Sequence, residues 1–290
     1  MDAPDLVVVG HLTHDRIVRG SQEDACMGGV PAHFGLTVAA LGLSTGVVTT
    51  VGPDLDPDHL RVLHAAGIDL TGVRIGQSPT TTFVNIYEAG QRVQECPAVA
   101  DGIGPDDVPA AYEKARAVHL GPLMGEIDPA VVDRFPHARI SLDVQGLVRR
   151  RKGRQVLSKA LDRDTLPRRL DVIKLGEDEL ELATGTTDVV EGSERAVELG
   201  ASMSIVTMGV HGSHVYDGRH HDIPAFPVEE VDPTGAGDAY MAGFLDALLA
   251  DRDVPECGRF AAACGALCVT SVGSGFAHSR KEVERLAWGT

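Results

Sequence analysis

Short apolar runs that alternate with helical stretches recur along the whole chain, and this rhythm constrains the fold more than any other feature. Short, mostly apolar runs are typical of strands that are buried on both faces. Such runs predict strands at 6–9, 47–51, 118–120, 140–143, 172–175 and 204–207. Stretches with helical spacing lie between them, at 28–42, 59–66, 129–135, 177–184 and 192–199. Strands that alternate with helices predict the α/β class, with a mostly parallel central sheet covered on both faces.

Two polar segments, 12–27 and 77–97, interrupt this rhythm and have the character of β-hairpins. We expect them to form a small flap over the active site, although two ordinary surface loops would have the same composition. A third segment, 149–169, holds most of a basic cluster and predicts a solvated helix and loop. We expect one domain over the 290 residues, with the flap as its appendage.

Composition limits the partners that the chain can bind. The formal net charge of −16 argues against nucleic acid or an anionic membrane as a main partner. No apolar run approaches the roughly 20 residues of a membrane span, and the first residues lack the pattern of a signal peptide. The five cysteines include no Cys-x-x-Cys pair, so neither a disulfide framework nor a zinc site is indicated. We therefore expect a soluble, cytoplasmic protein.

The segment 231–244, Val-Asp-Pro-Thr-Gly-Ala-Gly-Asp-Ala-Tyr-Met-Ala-Gly-Phe, carries the strongest functional signal. Asp238 follows the loop Gly235–Gly237, and apolar residues with helical spacing follow Asp238. The loop should therefore present backbone N–H groups at a helix N-terminus, where the helix dipole favours phosphate. Beside bound phosphate, Asp238 could take a proton from an attacking hydroxyl. The alternative is an ordinary buried helix with an acidic first turn.

Other polar groups follow the predicted strands. Thr207-Met208-Gly209-Val210-His211-Gly212 would let a ligand approach the backbone at the carboxyl end of the sheet, although a hairpin turn looks the same. Glu179 lies in an acidic helix start and could hold a Mg²⁺-bound water, or could simply complement the helix dipole. His11, His14 and Asp15 could bind a metal or grip a polyol. The Walker A pattern occurs nowhere in the sequence.

Three of these motifs together resemble the ribokinase-like (PfkB) carbohydrate kinase family. Residues 232–238 match its C-terminal signature, and Gly28-Gly29 before a helix that ends at Leu41-Gly42 matches its N-terminal one. The Thr207-x-Gly209-x-x-Gly212 motif lies at the expected distance before the C-terminal signature. The resemblance covers nearly the whole chain. It implies a three-layer α/β/α sandwich with a small β lid, which we assign to 12–27 and 77–97.

The resemblance also implies roles for individual residues. Asp238 is the catalytic base, and the anion hole consists of Gly235, Ala236 and Gly237. Nucleotide binding is expected from Thr207, Gly209, Gly212 and Gly176, and substrate binding from Asp15, Gly28 and Gly29. Glu179 would hold a water molecule that is bound to Mg²⁺. Asp232, with the loop 271–276, resembles the family's monovalent-cation site, so K⁺ activation is a further expectation.

Departures from the family pattern bear on the substrate. Gly176 replaces the usual asparagine of Asn-x-x-Glu. The segment 28–33, Gly-Gly-Val-Pro-Ala-His, lacks the lysine and asparagine of ribokinases, and His33 could reach a ligand hydroxyl instead. The segments 119–126 and 143–149 look closer to the myo-inositol kinase branch. There Asp143, Gln145 and Arg149 could line the substrate cleft, although Asp143 could instead cap a helix and Arg149 could be solvated.

The sequence thus predicts a kinase that uses ATP and Mg²⁺ to phosphorylate a hydroxyl of a small sugar or cyclitol, with a myo-inositol-like substrate favoured. A nucleoside kinase of the same fold is the first alternative, and a non-catalytic sugar-binding regulator is the second. The expected partners are small molecules, with no nucleic acid or membrane. An exposed lid edge could leave the protein a monomer or join two copies as a homodimer.

Overall fold

The computed structural model describes residues 3–88, 91–271, 273 and 275–289. Its strands, in chain order, are β1 (Leu6–Val9), β2 (Thr13–Arg19), β3 (Gln22–Gly28), β4 (Thr45–Val51), β5 (Asp69–Ile75), β6 (Thr82–Glu88), β7 (Gln91–Ala98), β8 (Ala117–Leu120), β9 (Arg139–Asp143), β10 (Arg149–Lys152), β11 (Gln155–Ser158), β12 (Val172–Gly176), β13 (Met203–Thr207), β14 (Ser213–Tyr216) and β15 (His220–Ile223). Its α-helices are α1 (Val30–Ala40), α2 (Pro57–Ala65), α3 (Glu177–Thr184), α4 (Val189–Val197), α5 (Ala236–Leu249), α6 (Val254–Cys268) and α7 (Arg280–Trp288).

The large sheet has nine strands in the order β15-β14-β13-β12-β9-β8-β1-β4-β5. Every neighbouring pair from β13 to β5 is parallel, while β14 and β15 add an antiparallel edge. Parallel strands end at the same edge of a sheet, so the polar residues that follow β1, β9, β12 and β13 are brought to one side of the molecule. The predicted mostly parallel sheet is confirmed.

Alternate side chains of β1 show the layers on the two sides of this sheet. Leu6 and Val8 enter a core cluster that contains residues of α1, α5, α6 and α7. Val7 and Val9 enter a second cluster, which contains residues of α3, α4 and several 3₁₀ turns. A strand that is buried on both faces needs apolar side chains at every position, which explains its uninterrupted Val-rich run. The α/β/α sandwich is confirmed, although the predicted helix at 129–135 is a 3₁₀ helix over Pro129–Arg134.

The small sheet, called the lid below, has six strands in the order β10-β11-β7-β6-β2-β3. It includes strands from both polar segments that were predicted to be β-structure, 12–27 and 77–97, of which residues 89 and 90 lie outside the described part. The prediction of a solvated helix at 149–169 was wrong, because Arg149–Lys152 and Gln155–Ser158 form a hairpin that joins the lid. Among the described residues, no helix combines the length and apolar character needed to cross a membrane.

Candidate active site

The glycine loop lies at the N-terminus of α5, as the sequence predicted. Gly235 has φ 81° and precedes the first helical residue, Ala236. The helix that follows is anchored in the core by buried apolar residues, namely Ala239, Met241, Ala242, Phe244 and Leu245. The first N–H groups of a helix lack partners within the helix, so this fixed terminus can present N–H donors and a positive dipole to an anion.

Two side chains lie directly beneath this loop. A Cβ at position 235 would come within 2.1 Å of Nδ1 of His33, and a Cβ at position 237 would come within 3.0 Å of Nζ of Lys174. Glycine at both positions lets the backbone pack against a ring and an ammonium group. Burial lowers the pKa of His33 to about 4, although the negative charge of Asp232 acts to raise it. His33 is therefore a neutral imidazole beneath the loop, and its expected contact with a ligand hydroxyl stays a prediction.

Lys174 forms a buried ion pair with Asp143 on the neighbouring strand β9. Its ammonium donates a hydrogen bond to Oδ2 of Asp143 at 2.6 Å, and both side chains are only 7% exposed. Oδ1 of Asp143 accepts a hydrogen bond from the N–H of Gln145 at 3.1 Å. Burial opposes the charge of both groups, but their attraction lowers the pKa of Asp143 and raises that of Lys174. Both groups are therefore ionised at neutral pH.

Two further carboxyl groups near this pair have raised pKa values. Burial and the charge of Asp143 raise the pKa of Asp238 to about 7, although Lys174 opposes the shift. Burial and Asp143 likewise raise the pKa of Glu179 to about 7. Oε2 of Glu179 accepts a hydrogen bond from the N–H of Gly176 at 2.7 Å, so Glu179 also caps its own helix. A base with a pKa near the working pH is well suited to proton transfer.

A cavity of about 440 Å³ opens beside the glycine loop. It is lined by the predicted nucleotide residues Thr207, Gly209 and Gly212 together with Ala236 and Gly237 of the loop, and by mostly apolar residues that include Ala225, Phe226, Val228, Tyr240, Ala262, Ala266 and Val269. Gly176, the fourth predicted nucleotide residue, pairs with Thr207 in the sheet. Cavities of roughly 300–1,000 Å³ with apolar walls are typical of small-molecule sites.

The lid presents polar side chains toward the body of the protein. The strand register places Asp15 opposite Phe83, and Asn85 lies on the same face of the lid as Phe83. Because Phe83 is buried in the core, this face looks toward the large sheet. Burial raises the pKa of the neighbouring Cys26 to about 11, and the charges of Asp15 and Asp232 add to that shift. The lid face and the segment before the glycine loop are therefore close.

The structure adds two lid residues that the sequence did not single out. Asn85 is 8% exposed, and its Oδ1 accepts a hydrogen bond from Nε2 of Gln94 at 3.0 Å. These amides share the lid face that carries Asp15, so they are candidates for contacting a polyol. The alternation of polar and apolar residues along β6 was the available signal, but it does not tell which face looks inward.

The predicted glycines 28 and 29 lie where the lid meets the body. A Cβ at position 28 would come within 2.5 Å of the carboxyl group of Asp15, and a Cβ at position 29 would come within 2.1 Å of the carbonyl oxygen of His11. Gly29 has φ 88°, which also favours glycine. Thr13 Oγ1 donates to Oδ1 of Asp15 at 2.7 Å. Asp15 is thereby held at the junction, and its role in substrate binding remains a prediction.

The other predicted ligand residues lie on two further segments, one after β9 and one before α5. Gln145 follows Asp143, and Arg149 begins β10. Asp232 accepts hydrogen bonds from the N–H groups of Thr234 at 3.0 Å and Gly273 at 3.4 Å. It therefore lies beside the segment 271–276, of which residues 272 and 274 are outside the described part. The monovalent-cation site remains a prediction.

The chemistry of the site fits a magnesium ion that is held mainly by phosphate. Within residues 3–88, 91–271, 273 and 275–289, no three His, Cys, Asp or Glu side chains form a metal-binding group. Mg²⁺ commonly keeps several waters and takes only one or two carboxylates besides substrate phosphates. Glu179, in the first turn of α3 just after β12, remains the predicted carboxylate for this ion. His11, a candidate metal ligand from the sequence, is instead buried, and its ring lies 2.8 Å from Oγ1 of Thr81 and 3.0 Å from the carbonyl oxygen of Asp101.

Comparison with known proteins gives matches over nearly the whole chain. Residues 3–281 match the model of the pfkB family carbohydrate kinases. A cytidine kinase of Thermococcus kodakarensis is 30% identical over 264 residues, which cover 88% of this chain and 92% of the relative. A sulfate complex of a pyrophosphate-dependent kinase in the ribokinase family superposes with a TM-score of 0.84 at 25% identity, covering 96% of this chain and 99% of the other. Arabidopsis thaliana ribokinase complexed with ribose and ATP gives a TM-score of 0.80 at 26% identity, covering 99% of both chains.

Proposed function

The chain belongs to the PfkB family of carbohydrate kinases, which phosphorylate hydroxyl groups, and we propose that it transfers the γ-phosphoryl group of ATP to a small sugar or cyclitol. A myo-inositol-like acceptor is the favoured substrate. One observation carries this proposal: the cavity lined by Thr207, Gly209 and Gly212 reaches the glycine loop that precedes Asp238. The nucleobase could then lie in the cavity, with its phosphates at the glycine loop and next to Asp238, the proposed proton acceptor.

The shape of the cavity supports ATP rather than pyrophosphate as the donor. Pyrophosphate needs only the anion-binding end of the site, whereas a nucleoside needs room for a base and a sugar. The cavity of about 440 Å³ extends away from the loop between Phe226, Val228 and Ala266. Burial of a purine against these apolar walls would add favourable free energy that pyrophosphate cannot gain.

The proposed reaction uses the site in the following way. The N–H groups of the loop Gly235–Gly237 hold the phosphate that is transferred, and their fixed geometry stabilises the charge that develops on it. Asp238 accepts the proton of the attacking hydroxyl, which must lie between the loop and the lid. Closure of the lid would exclude water that competes as an acceptor. Mg²⁺ bound with the nucleotide would neutralise part of the negative charge of the phosphates.

The lid favours a compact polyol as the acceptor. Asp15, Asn85 and Gln94 present hydrogen-bonding groups on the inward face, and such groups match a ring of hydroxyls. Among the described side chains of the six lid strands, Phe83 supplies the one Phe, Tyr or Trp ring, and it is buried in the core. The Phe83 ring is therefore not available to stack on a nucleoside base.

A nucleoside kinase is the second candidate. The 30% identity with the cytidine kinase of Thermococcus kodakarensis, over 88% of this chain, favours it. In that case the ribose would bind where we place the cyclitol, and the base would extend past the lid strands. K⁺ activation through Asp232 is part of either proposal, as is a monomer or a dimer joined through the lid.

A matrix of acceptors and donors tests the proposal. We would assay myo-inositol, ribose, fructose, cytidine and adenosine, each with ATP and with pyrophosphate, using Asp238→Asn as the background control. The highest kcat/KM for a cyclitol or sugar with ATP is the expected result. Higher values for cytidine or adenosine would replace it with the nucleoside kinase. Preference for pyrophosphate would overturn the donor assignment, and phosphorylation of none of the five acceptors would contradict the proposal.

A further inference from the structure

A buried lysine, Lys174, lies under the anion-binding loop. None of the family motifs identified in the sequence gives this residue a role. Lys174 is in the middle of β12 and is 6% exposed. Its ammonium nitrogen lies so close to the loop that a Cβ on Gly237 would come within 3.0 Å of it. The nearest ammonium-to-carboxylate contact is the 2.6 Å hydrogen bond to Asp143. Lys174 thus connects the loop with a carboxylate on β9.

The charged and titratable groups around this ammonium come from four elements. Asp143 on β9, Glu179 on α3 and Asp238 on α5 act on it as carboxylates. His119 on β8 faces the same cluster, and burial lowers its pKa to about 4, so it is neutral. The Tyr240 hydroxyl, on α5, has a pKa raised by burial and is neutral as well. One cation therefore faces three carboxyl groups.

We propose that Lys174 is a positioning residue for phosphoryl transfer, which supports the loop at Gly237 and favours the carboxylate form of Asp238, with Asp143 setting the strength of that effect. This inference rests on the proposed function, since Asp238 is taken as the base. Without the ammonium, Asp143 and Asp238 would lose the cation whose charge favours the ionised form of both, and a buried carboxyl group beside a like charge retains its proton to higher pH. A protonated Asp238 cannot accept the proton of the acceptor hydroxyl.

A purely structural role would give a different pattern. A buried ion pair contributes little net stability and can often be replaced by apolar residues. If Lys174 and Asp143 only held β9 to β12, their substitution would change the stability of the protein without moving the pH dependence of catalysis. If they set the charge state of Asp238, their single substitutions should move that dependence in opposite directions.

Four variants separate these possibilities: Lys174→Met, Lys174→Arg, Asp143→Asn and the double variant Lys174→Met/Asp143→Asn. We would measure kcat/KM from pH 5 to pH 9 with the best acceptor. The acidic limb is the part of the kcat/KM profile that rises with pH. Lys174→Met should move this limb to higher pH by roughly one unit or more, and Asp143→Asn should move it to lower pH. The double variant removes one charge of each sign, so its limb should return close to that of the parent. Lys174→Arg should keep the parent limb.

Unchanged limbs in folded Lys174→Met and Asp143→Asn would overturn the inference, and so would a double variant whose limb is displaced as far as that of Lys174→Met. Thermal unfolding of each variant shows whether it is folded. If Lys174→Met does not fold, the shift of Asp143→Asn and the Lys174→Arg profile still decide the outcome.

A readout without turnover separates this inference from the proposed function. The carboxyl carbon of Asp238 can be followed by ¹³C NMR of protein labelled at aspartate, with Asp238→Asn for its assignment. Inactivity of the parent toward all acceptors would defeat the proposed function only. A titration of Asp238 that is the same in the parent, Lys174→Met and Asp143→Asn would defeat the inference, whatever the acceptor screen shows.

Discussion

The ring of His33 lies so close to Gly235 that a Cβ on that glycine would come within 2.1 Å of Nδ1. The contact joins α1 to the N-terminus of α5. Gly235 is therefore required twice, once for its φ of 81° and once for the space that the imidazole occupies. The position of the anion-binding loop depends on a helix that lies about 200 residues earlier in the sequence.

Gly235→Ala should displace the loop and weaken anion binding. Gly42 offers a matched control, because its φ is 86° and nothing lies within 4 Å of its would-be Cβ. Gly42→Ala should cost about 1 kcal/mol of stability from backbone strain alone, with normal affinity for the nucleotide. We expect Gly235→Ala to weaken nucleotide binding at least tenfold in calorimetry. Equal affinities for the two variants would contradict the role of the loop.

Asp238→Asn should reduce kcat by about 10²–10⁴-fold, the range of a general base. The same change should stabilise the protein, because an amide avoids the cost of a buried charge. From a pKa of about 7 against 3.8, the gain above pH 8 has an upper limit of about 4 kcal/mol. Asp58, an exposed first-turn aspartate of α2, is the control. Loss of stability in Asp238→Asn, or full activity, would refute the assignment.

The pH dependence of kcat/KM should follow the ionisation of Asp238. Its pKa of about 7 predicts that kcat/KM rises with pH and levels off above pH 8. For stability the sign is reversed: between about pH 4 and pH 7 the unfolded aspartate has lost its proton and the folded one retains it, so this group makes the protein less stable as the pH rises. Unfolding of the parent and Asp238→Asn across this window isolates that contribution. A stability difference that does not change with pH would contradict it.

Ala266→Phe should fill the proposed base-binding cavity. Ala266 lies on α6, is half-buried and lines the cavity beside Val269. We expect the KM for ATP to rise at least tenfold, since a ring would occupy the place of the base, while kcat with pyrophosphate, if any, should be unaffected. Ala40→Phe, at a half-buried position of α1 away from the cavity, is the control. An unchanged KM for ATP would mean that the base binds elsewhere.

The sequence was most informative where one local pattern determines the structure. The Val-rich run of β1 and the glycine loop before α5 could be identified without knowledge of the fold, because burial on both faces and a positive φ each require particular residues nearby. The predicted nucleotide residues at 207, 209 and 212 also come together on the cavity with Gly237. Their roles in binding remain predictions.

The sequence failed where a structure depends on residues far along the chain. The hairpin of β10 and β11 carries charged residues and resembles a solvated segment, and it becomes part of the lid only through pairing with β7. Lys174 was likewise passed over because its partner Asp143 is 31 residues away. One signal was available: a lysine inside the apolar run 172–175 must have a buried carboxylate partner.

The β10–β11 hairpin ties the lid to the strand that carries Asp143. It begins six residues after Asp143, and the N–H of Cys96 on β7 donates to the carbonyl oxygen of Arg154 at 2.6 Å. If the lid closes over the acceptor as proposed, its movement would act on the chain just beyond Asp143. The proton affinity of the proposed base Asp238 would then depend on whether the acceptor is bound, because Asp143 is one of the charges acting on it.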